Sequence, residues 1–434
     1  MVRKSNNKRK RSRYLTLDDL EYVSNIDSGS YSTVYLYRLK NNREKRYAVK
    51  MIKGSDTDGL ICLSEFFILK NISNKNIIGY RGHQIVGNTL YIILENAETS
   101  LLRHVKDNYG MINDHRDISN KQMAKWIFEM AYAIYILHDV NIVHCDIKSD
   151  NVLVFPDGKL KIADFGMSSL DNTGPHLTNA TSFRAPEIWR DMIVRKSIDM
   201  WSFGCVLYDI YFGGSPFYQR PKDNGQRYPK EQEKTRSLNC INRWDFIRNK
   251  MLRGTYSYNK DVQRYNVKSY DPPSISSSFD PTRSLEKLIL KLLDPNPDTR
   301  ATAYDILEDP YLKHVSMPIT KVKYDIYSLV LRGYNDHEMN KIIDSYSSNV
   351  MTKKLAIHFV KQLWSRRTRI KHDITTYELA DIAFFMAYKI LRTSKIPENR
   401  FILPKPQLVY YEKMMLENKI VLDLFMDIER QEER

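Results

Sequence analysis

The sequence predicts an α+β chain that ends in an all-α segment, and three observations carry that expectation. Residues 20–95 read mostly as strands, with alternation in Ser32-Thr33-Val34-Tyr35-Leu36-Tyr37 and in Leu90-Tyr91-Ile92-Ile93-Leu94. Residues 121–138 instead place Met123, Ile127, Met130, Ala131, Ile134 and Leu137 on one face at helical spacing. After Pro318 the helical period returns in two stripes. One joins Leu355, Phe359 and Leu363 with Ala356, Val360 and Trp364; the other holds Leu379, Ile382, Ala383, Met386 and Ile390. One helix around Glu65 interrupts the strands, and the 121–138 helix leads through Leu137-His138 into the segment that carries the chemistry.

At 434 residues the chain is long enough for two or three cores, and its 42% hydrophobic content is ordinary for a globular protein. No apolar run approaches the roughly 18 to 20 residues that cross a bilayer, and no hydrophobic stretch follows the basic N-terminus. The expectation is a chain neither secreted nor membrane-spanning. Cys62, Cys145, Cys205 and Cys240 are widely spaced and form no C-x-x-C pair, so neither a disulfide frame nor a zinc site is expected, and a reducing compartment is.

The net charge of +15 is unevenly placed. Residues 1–13 carry seven Lys or Arg and no acid; residues 218–270 carry thirteen basic residues against five acids, so these two segments supply +7 and +8 and the remainder sums to zero. The run Lys8-Arg9-Lys10-Arg11-Ser12-Arg13 reads as a disordered solvated tail over residues 1–16, as a nuclear-import signal or as a tether to acidic surfaces. Cytoplasm, nucleus or both are the expected locations. The 218–270 stretch reads as a basic insert, either a solvated loop or a docking site for acidic partners or nucleic acid.

The chemistry lies in His144-Cys145-Asp146-Ile147-Lys148-Ser149-Asp150-Asn151, followed thirteen residues later by Asp164-Phe165-Gly166. An Asp two residues before a Lys and five before an Asn can place a base, a cation and a metal ligand on one short loop, and Asp164 can supply a second metal ligand. Metaphosphate-like transition states need little covalent help. They need charge held in place.

With Tyr47-Ala48-Val49-Lys50, Glu65 fifteen residues later, Ala185-Pro186-Glu187, Asp199-Met200-Trp201-Ser202-Phe203-Gly204 and Arg300, all in order, residues from about 20 to 314 resemble a eukaryotic-type serine/threonine protein kinase. The resemblance implies a bilobal protein-kinase fold over 17–314, with a β-rich N-lobe at 17–97 and an α-helical C-lobe at 98–314. It implies MgATP as phosphate donor and protein substrates. Lys50 would hold the α- and β-phosphates and pair with Glu65; Asp146 would steer the hydroxyl proton and Lys148 neutralise the phosphoryl group; Asn151 and Asp164 would bind Mg2+. Ile26, Gly29, Val34, Ala48, Glu95, Ala97 and Leu153 would surround the nucleotide, with the backbone of Glu95-Asn96-Ala97 at the adenine edge and Leu94 gating the pocket behind it. Thr181 would bridge Asp146 and Lys148, and Arg300 would pair with Glu187. A Lys two residues after the Asp matches the serine/threonine group.

Two departures from the family pattern bear on mechanism. The phosphate loop reads Asp27-Ser28-Gly29-Ser30-Tyr31-Ser32-Thr33-Val34 and keeps only the middle glycine of G-x-G-x-x-G-x-V, so Asp27 brings a negative charge toward anionic ATP. Cys145 stands where the pattern has the Arg that commonly pairs with a phosphorylated activation segment, so phosphorylation there is not expected to be the switch. Ser30 and Tyr31 occupy the place of an inhibitory Thr-Tyr pair in cyclin-dependent kinases, the group this chain resembles most. Residues 320–434 weakly resemble a cyclin, which implies regulation in cis or in trans; an unrelated helical regulatory domain is the alternative. A pseudokinase or scaffold, with accessory nucleic-acid binding by the basic segments, is the rival reading of the whole.

Overall fold

A computed structural model of the chain describes residues 14–29, 32–53, 65–66, 68–70, 72–87, 89–171, 181–190, 193–217, 229–261, 275–315, 356, 359 and 382–387. Two units divide it, one of Met1–Ser55 with Ile78–Asn96 and one of Asp56–Ile77 with Ala97–Arg434.

The first unit is built on five antiparallel strands: β1 (Leu20–Ser28), β2 (Ser32–Leu39), β3 (Asn42–Lys53), β4 (Tyr80–Val86) and β5 (Thr89–Glu95), in the spatial order β1-β2-β3-β5-β4. Register pairs Asp27 with Val34, Val34 with Lys50, Lys50 with Ile92 and Ile92 with His83. Directly opposed residues share a face, so this row runs across the whole sheet on the face that also carries Ala48, opposite Leu94. On the other face Leu20, Val49 and Ile93 form a core, covered by Leu15, Leu17, Tyr37, Leu39, Tyr47 and Tyr91. The segment before β1 is tied down by Leu15 N–H donating to the Arg81 carbonyl at 2.9 Å and Leu17 N–H donating to Gln84 Oε1 at 2.7 Å.

The second unit begins its continuous course with β6 (Thr99–Ser100) and α1 (Leu101–Asn108), whose first turn is capped by Ser100. A short hairpin, β7 (Met111–Ile112) and β8 (His115–Arg116), precedes α2 (Asn120–Asp139). The stripe expected on α2 is there: Met123, Ile127, Met130, Ala131, Ile134 and Leu137 are all buried. Next come β9 (Ile142–Val143), β10 (Val152–Val154), β11 (Leu160–Ile162) and β12 (Ser169–Leu170), with β10 between β11 and β6 and β12 paired to β9. The helices α3 (Pro186–Arg190), α4 (Lys196–Phe212), α5 (Lys230–Leu252), α6 (Ser284–Leu292) and α7 (Ala303–Leu307) follow, with a short helical turn at Tyr258–Asp261 between α5 and α6.

Helix α4 is apolar on nearly every side and is buried accordingly. A Cβ at Gly204 would lie 2.9 Å from the Leu292 Cβ, so glycine permits the close approach of α4 and α6. The helix stops at Gly213, whose φ of +80° suits glycine and whose N–H donates to the Asp209 carbonyl at 2.9 Å.

Three expectations need correction or limits. The basic insert at 218–270 is not a solvated loop along its length, because residues 230–252 form α5, which buries Cys240, Ile241, Trp244, Ile247 and Met251 and donates from Trp244 Nε1 to the Leu293 carbonyl at 2.7 Å. Within the expected N-lobe of 17–97, Asp56–Ile77 group by contact with the second unit. There Asn76 Nδ2 donates to the Leu160 carbonyl and Ile162 N–H donates to the Asn76 carbonyl, both at 2.9 Å, and Ile77 bridges Ile162. The third concerns 320–434, of which only 356, 359 and 382–387 are described; these are helical and buried, and the rest of the expected all-α domain with its cyclin-like reading lies outside the described residues. So do the tail at 1–13, the Ser30-Tyr31 pair, Cys62, Thr173 and Thr178. Among the described residues no helix is long and apolar enough to cross a membrane.

Candidate active site

The loop between β9 and β10 folds back on a single carboxylate. Asp146 Oδ2 accepts from Lys148 Nζ at 2.7 Å and from Asn151 Nδ2 at 2.9 Å, while Asn151 Nδ2 also donates to the Asp146 carbonyl at 2.8 Å. Asp146 and Asn151 are buried and Lys148 is partly exposed. The cation stays where a second anion can share it. Spacing in the sequence therefore becomes geometry: the base, cation and amide expected from the motif converge on one point.

His144 and Asp164 fix the far side of this loop. The His144 ring is fully buried; Nε2 donates to the Ala163 carbonyl at 3.0 Å, so Nδ1 is left to accept from the Asp146 N–H at 3.3 Å. Its edge meets the buried ring of Phe165, centroids 4.9 Å apart. Ala163 N–H in turn donates to the Asn151 carbonyl at 2.9 Å, which ties the two expected metal ligands to neighbouring strands' ends. Asp164 itself is exposed and left-handed at φ +63°.

These residues suit a hard divalent cation. The two hydrogen bonds from Asn151 commit its nitrogen and leave Oδ1 suited to a metal, and Asp164 presents an exposed carboxylate. No group of three His, Cys, Asp or Glu side chains among the described residues could hold a metal ion. One carboxylate plus one amide oxygen is the sparse set that Mg2+ accepts when phosphate oxygens and water complete its shell.

Behind the loop stands Asp199, at the start of α4 and fully buried. Its Oδ2 accepts from the His144 N–H at 2.8 Å and from His138 Nε2 at 2.9 Å, and its Oδ1 accepts from the Cys145 N–H at 2.9 Å. Cys145 is held at φ +65°, and its thiol donates to the Val143 carbonyl at 3.4 Å. A second anchor comes from Asp209, which accepts from Ser149 Oγ at 2.6 Å; burial pushes its carboxyl above the usual range, and the Ser149 bond opposes that rise. The sequence singles out the Asp199 motif without its anchoring role and His138 without its bond to Asp199, and it does not single out Asp209. The signal at each is a polar residue closing or interrupting a local apolar run, Ile134-Tyr135-Ile136-Leu137 before His138 and Cys205-Val206-Leu207-Tyr208 before Asp209.

The end of the activation segment is pinned as expected. Glu187 Oε2 accepts from Arg300 Nη2 at 2.9 Å, Ser197 Oγ donates to Glu187 Oε1 at 3.0 Å, and Arg300 Nη1 donates to the Ser197 carbonyl at 2.7 Å. Arg300 also lies over the Trp201 ring, 5.2 Å from its centroid. The bridging role expected of Thr181 rests on a side chain outside the described residues.

In the first unit Lys50 is buried on β3, flanked in register by Val34 and Ile92. Ile26 falls at the bulge of β1 and is 50% exposed, an apolar side chain left on a strand surface. The Glu95 side chain is already engaged, pairing with Arg81 at 3.2 Å and accepting from the Gly79 N–H. Its N–H donates to the Gly79 carbonyl at 3.0 Å, so a ligand at this position would use its carbonyl. Glu65, Ala97 and Leu153 belong to the second unit: Glu65 is buried in a helical turn, and Leu153 lies on β10 opposite Lys161 and Ser100.

Comparison with known proteins adds a family match and several relatives. A family model for the protein kinase domain matches residues 20–312. Cell division control protein 7 of Schizosaccharomyces pombe is 30% identical over 199 residues, 44% of this chain and 18% of that protein. Serine/threonine-protein kinase Nek6 of Oryza sativa subsp. japonica is 25% identical over 304 residues, 68% of this chain and 48% of that protein. Serine/threonine-protein kinase prp4 of Schizosaccharomyces pombe is 28% identical over 325 residues, 68% of this chain and 67% of that protein. The chain thus matches less than half the length of the first two relatives.

Proposed function

The chain belongs to the protein kinase family, and from that premise we propose that it transfers the γ-phosphate of MgATP to Ser or Thr hydroxyls of protein substrates. The observation that carries the reading is the Asp146 carboxylate held between Lys148 and Asn151 at 2.7 and 2.9 Å. Asp146 accepts the proton of the attacking hydroxyl, an effect worth roughly 10²- to 10⁴-fold. Lys148, tied to Asp146 and still partly exposed, offsets charge on the phosphoryl group during transfer. Lys50, buried on the sheet of the first unit, would bind phosphate oxygens. Asn151 and Asp164 would hold Mg2+, which would supply positive charge to the polyphosphate. Within the first unit, Ile26, Val34 and Ala48 would contribute apolar contact to the base, and Gly29 and the Glu95 carbonyl would contribute backbone.

Serine/threonine preference rests on Lys148 and on the similarity to the serine/threonine-protein kinases Nek6 and prp4. We assign the chain to cytoplasm, nucleus or both on its basic N-terminal run, and a cyclin-like or other helical regulator in cis or in trans to residues 320–434. The test is incubation of the purified chain with γ-labelled ATP and a generic basic protein, followed by phosphoamino-acid analysis. Label on Ser and Thr supports the reading. Label confined to Tyr overturns the specificity, and ATP binding without transfer favours a scaffold.

A further inference from the structure

The turn after β1 spends its described donors on itself. Asp27 Oδ1 accepts from the Ser28 N–H at 2.8 Å, Asn25 Nδ2 donates to Ser28 Oγ at 3.0 Å, and Gly29 N–H donates to the Ser32 carbonyl at 2.9 Å. The Ser28 and Gly29 amides are thereby occupied, the first by a carboxylate. The register sharpens the point. Asp27 opposes Val34 and Val34 opposes Lys50, so all three lie in one row on one face of the sheet. Two strand spacings put Asp27 about 10 Å from Lys50 in the sheet plane, close to the Debye length of about 8 Å at physiological salt. At physiological salt much of the repulsion between an exposed carboxylate at that distance and a polyphosphate bound by Lys50 is screened, so the effect is strongest at low ionic strength.

We propose that Asp27 is a specificity residue that discriminates against phosphate, so that the chain recognises its nucleotide chiefly through base and sugar. The inference rests on the nucleotide-binding reading of the preceding subsection and deepens it. Adenosine and ADP then bind nearly as well as ATP, and ATP affinity rises when the charge at position 27 is removed. A Gly at this position would free the Ser28 amide as well. Asn keeps an oxygen to accept from Ser28 and removes only the charge.

The experiment titrates adenosine and MgATP into the full chain and into its Asp27→Asn and Asp27→Gly variants, at low and at high salt. Expected for Asp27→Asn is a gain in ATP affinity of about three- to tenfold that shrinks at high salt, with adenosine affinity unchanged. Asp27→Gly should gain at least as much and keep part of the gain at high salt, since its freed amide is not a screened charge. Equal tightening of adenosine and ATP, or no change in either, overturns the assignment of Asp27 alone. Failure of all three proteins to bind adenosine or ATP overturns the nucleotide reading together with it.

Discussion

The Asp199 carboxylate accepts the Cys145 N–H at 2.9 Å across 54 residues of sequence, and it does so while Cys145 is held at φ +65°. A left-handed non-glycine residue costs of order 1–3 kcal/mol and persists only where its surroundings hold it. Asp199 does so with three bonds, to Cys145, His144 and His138. Asp199→Ala leaves two buried amides without their acceptor, at about 1–3 kcal/mol each. The variant should lose about 4 kcal/mol of stability in urea melts and lose transfer activity more steeply than affinity for ATP. Asp199→Asn, which keeps one oxygen, should fall between; equal activity in all three proteins would contradict the anchoring role.

Glu187 and Arg300 make a buried pair that joins the end of the activation segment to the residues before α7. Removing one member strands the other charge. Arg300→Met should destabilise the chain by about 3–5 kcal/mol, and combining it with Glu187→Gln should restore a good part of that. Urea melts of the two single variants and the double decide it: strict additivity would mean that the pair is not a unit.

Cys145 turns its thiol to the Val143 carbonyl in a buried position where the family pattern has an arginine. No cation is offered there to a phosphorylated activation segment. Replacing Thr173 and Thr178 together by Val should lower activity by less than about tenfold, or about 1.4 kcal/mol of barrier. A larger loss in steady-state rates would require another basic partner for the segment.

Glu129 on α2 is buried, and Oε2 accepts from the Leu160 N–H at 3.0 Å. Burial raises its carboxyl above the ordinary value, with the Leu160 bond and nearby Lys125 opposing. A raised acid holds its proton longer in the folded state, so the stability linked to it is present in acid and is lost as pH rises through the folded value. Glu129→Gln keeps an oxygen for Leu160 and carries no charge. Thermal melts should show it more stable than the parent at pH near 8, with the advantage fading toward pH 4; an advantage independent of pH would point to packing instead.

Much of this was legible along the chain because the chemistry is local. Asp146, Lys148 and Asn151 lie within six residues, and the α2 stripe repeats at helical spacing. What escaped depends on distance or on competing signals. Asp199 acts on residues 54 and 55 positions away, and nothing in its neighbourhood states which amides it will meet. Helix α5 was hidden by its charge: thirteen basic residues across 218–270 outweighed Ile241, Trp244, Ile247 and Met251, whose spacing marks the buried face. Residues 56–77 were counted with the strands that flank them, although Asn76 and Ile77 bond to β11.

The most direct measurement compares initial rates of phosphate transfer from γ-labelled ATP by the intact chain and by Asp146→Asn, with ATP affinity determined for both. The account predicts transfer by the intact chain and a fall of roughly 10²- to 10⁴-fold in the variant at similar ATP affinity. Equal rates in the two proteins, or ATP binding with no transfer by the intact chain to any Ser- or Thr-containing protein, would contradict it.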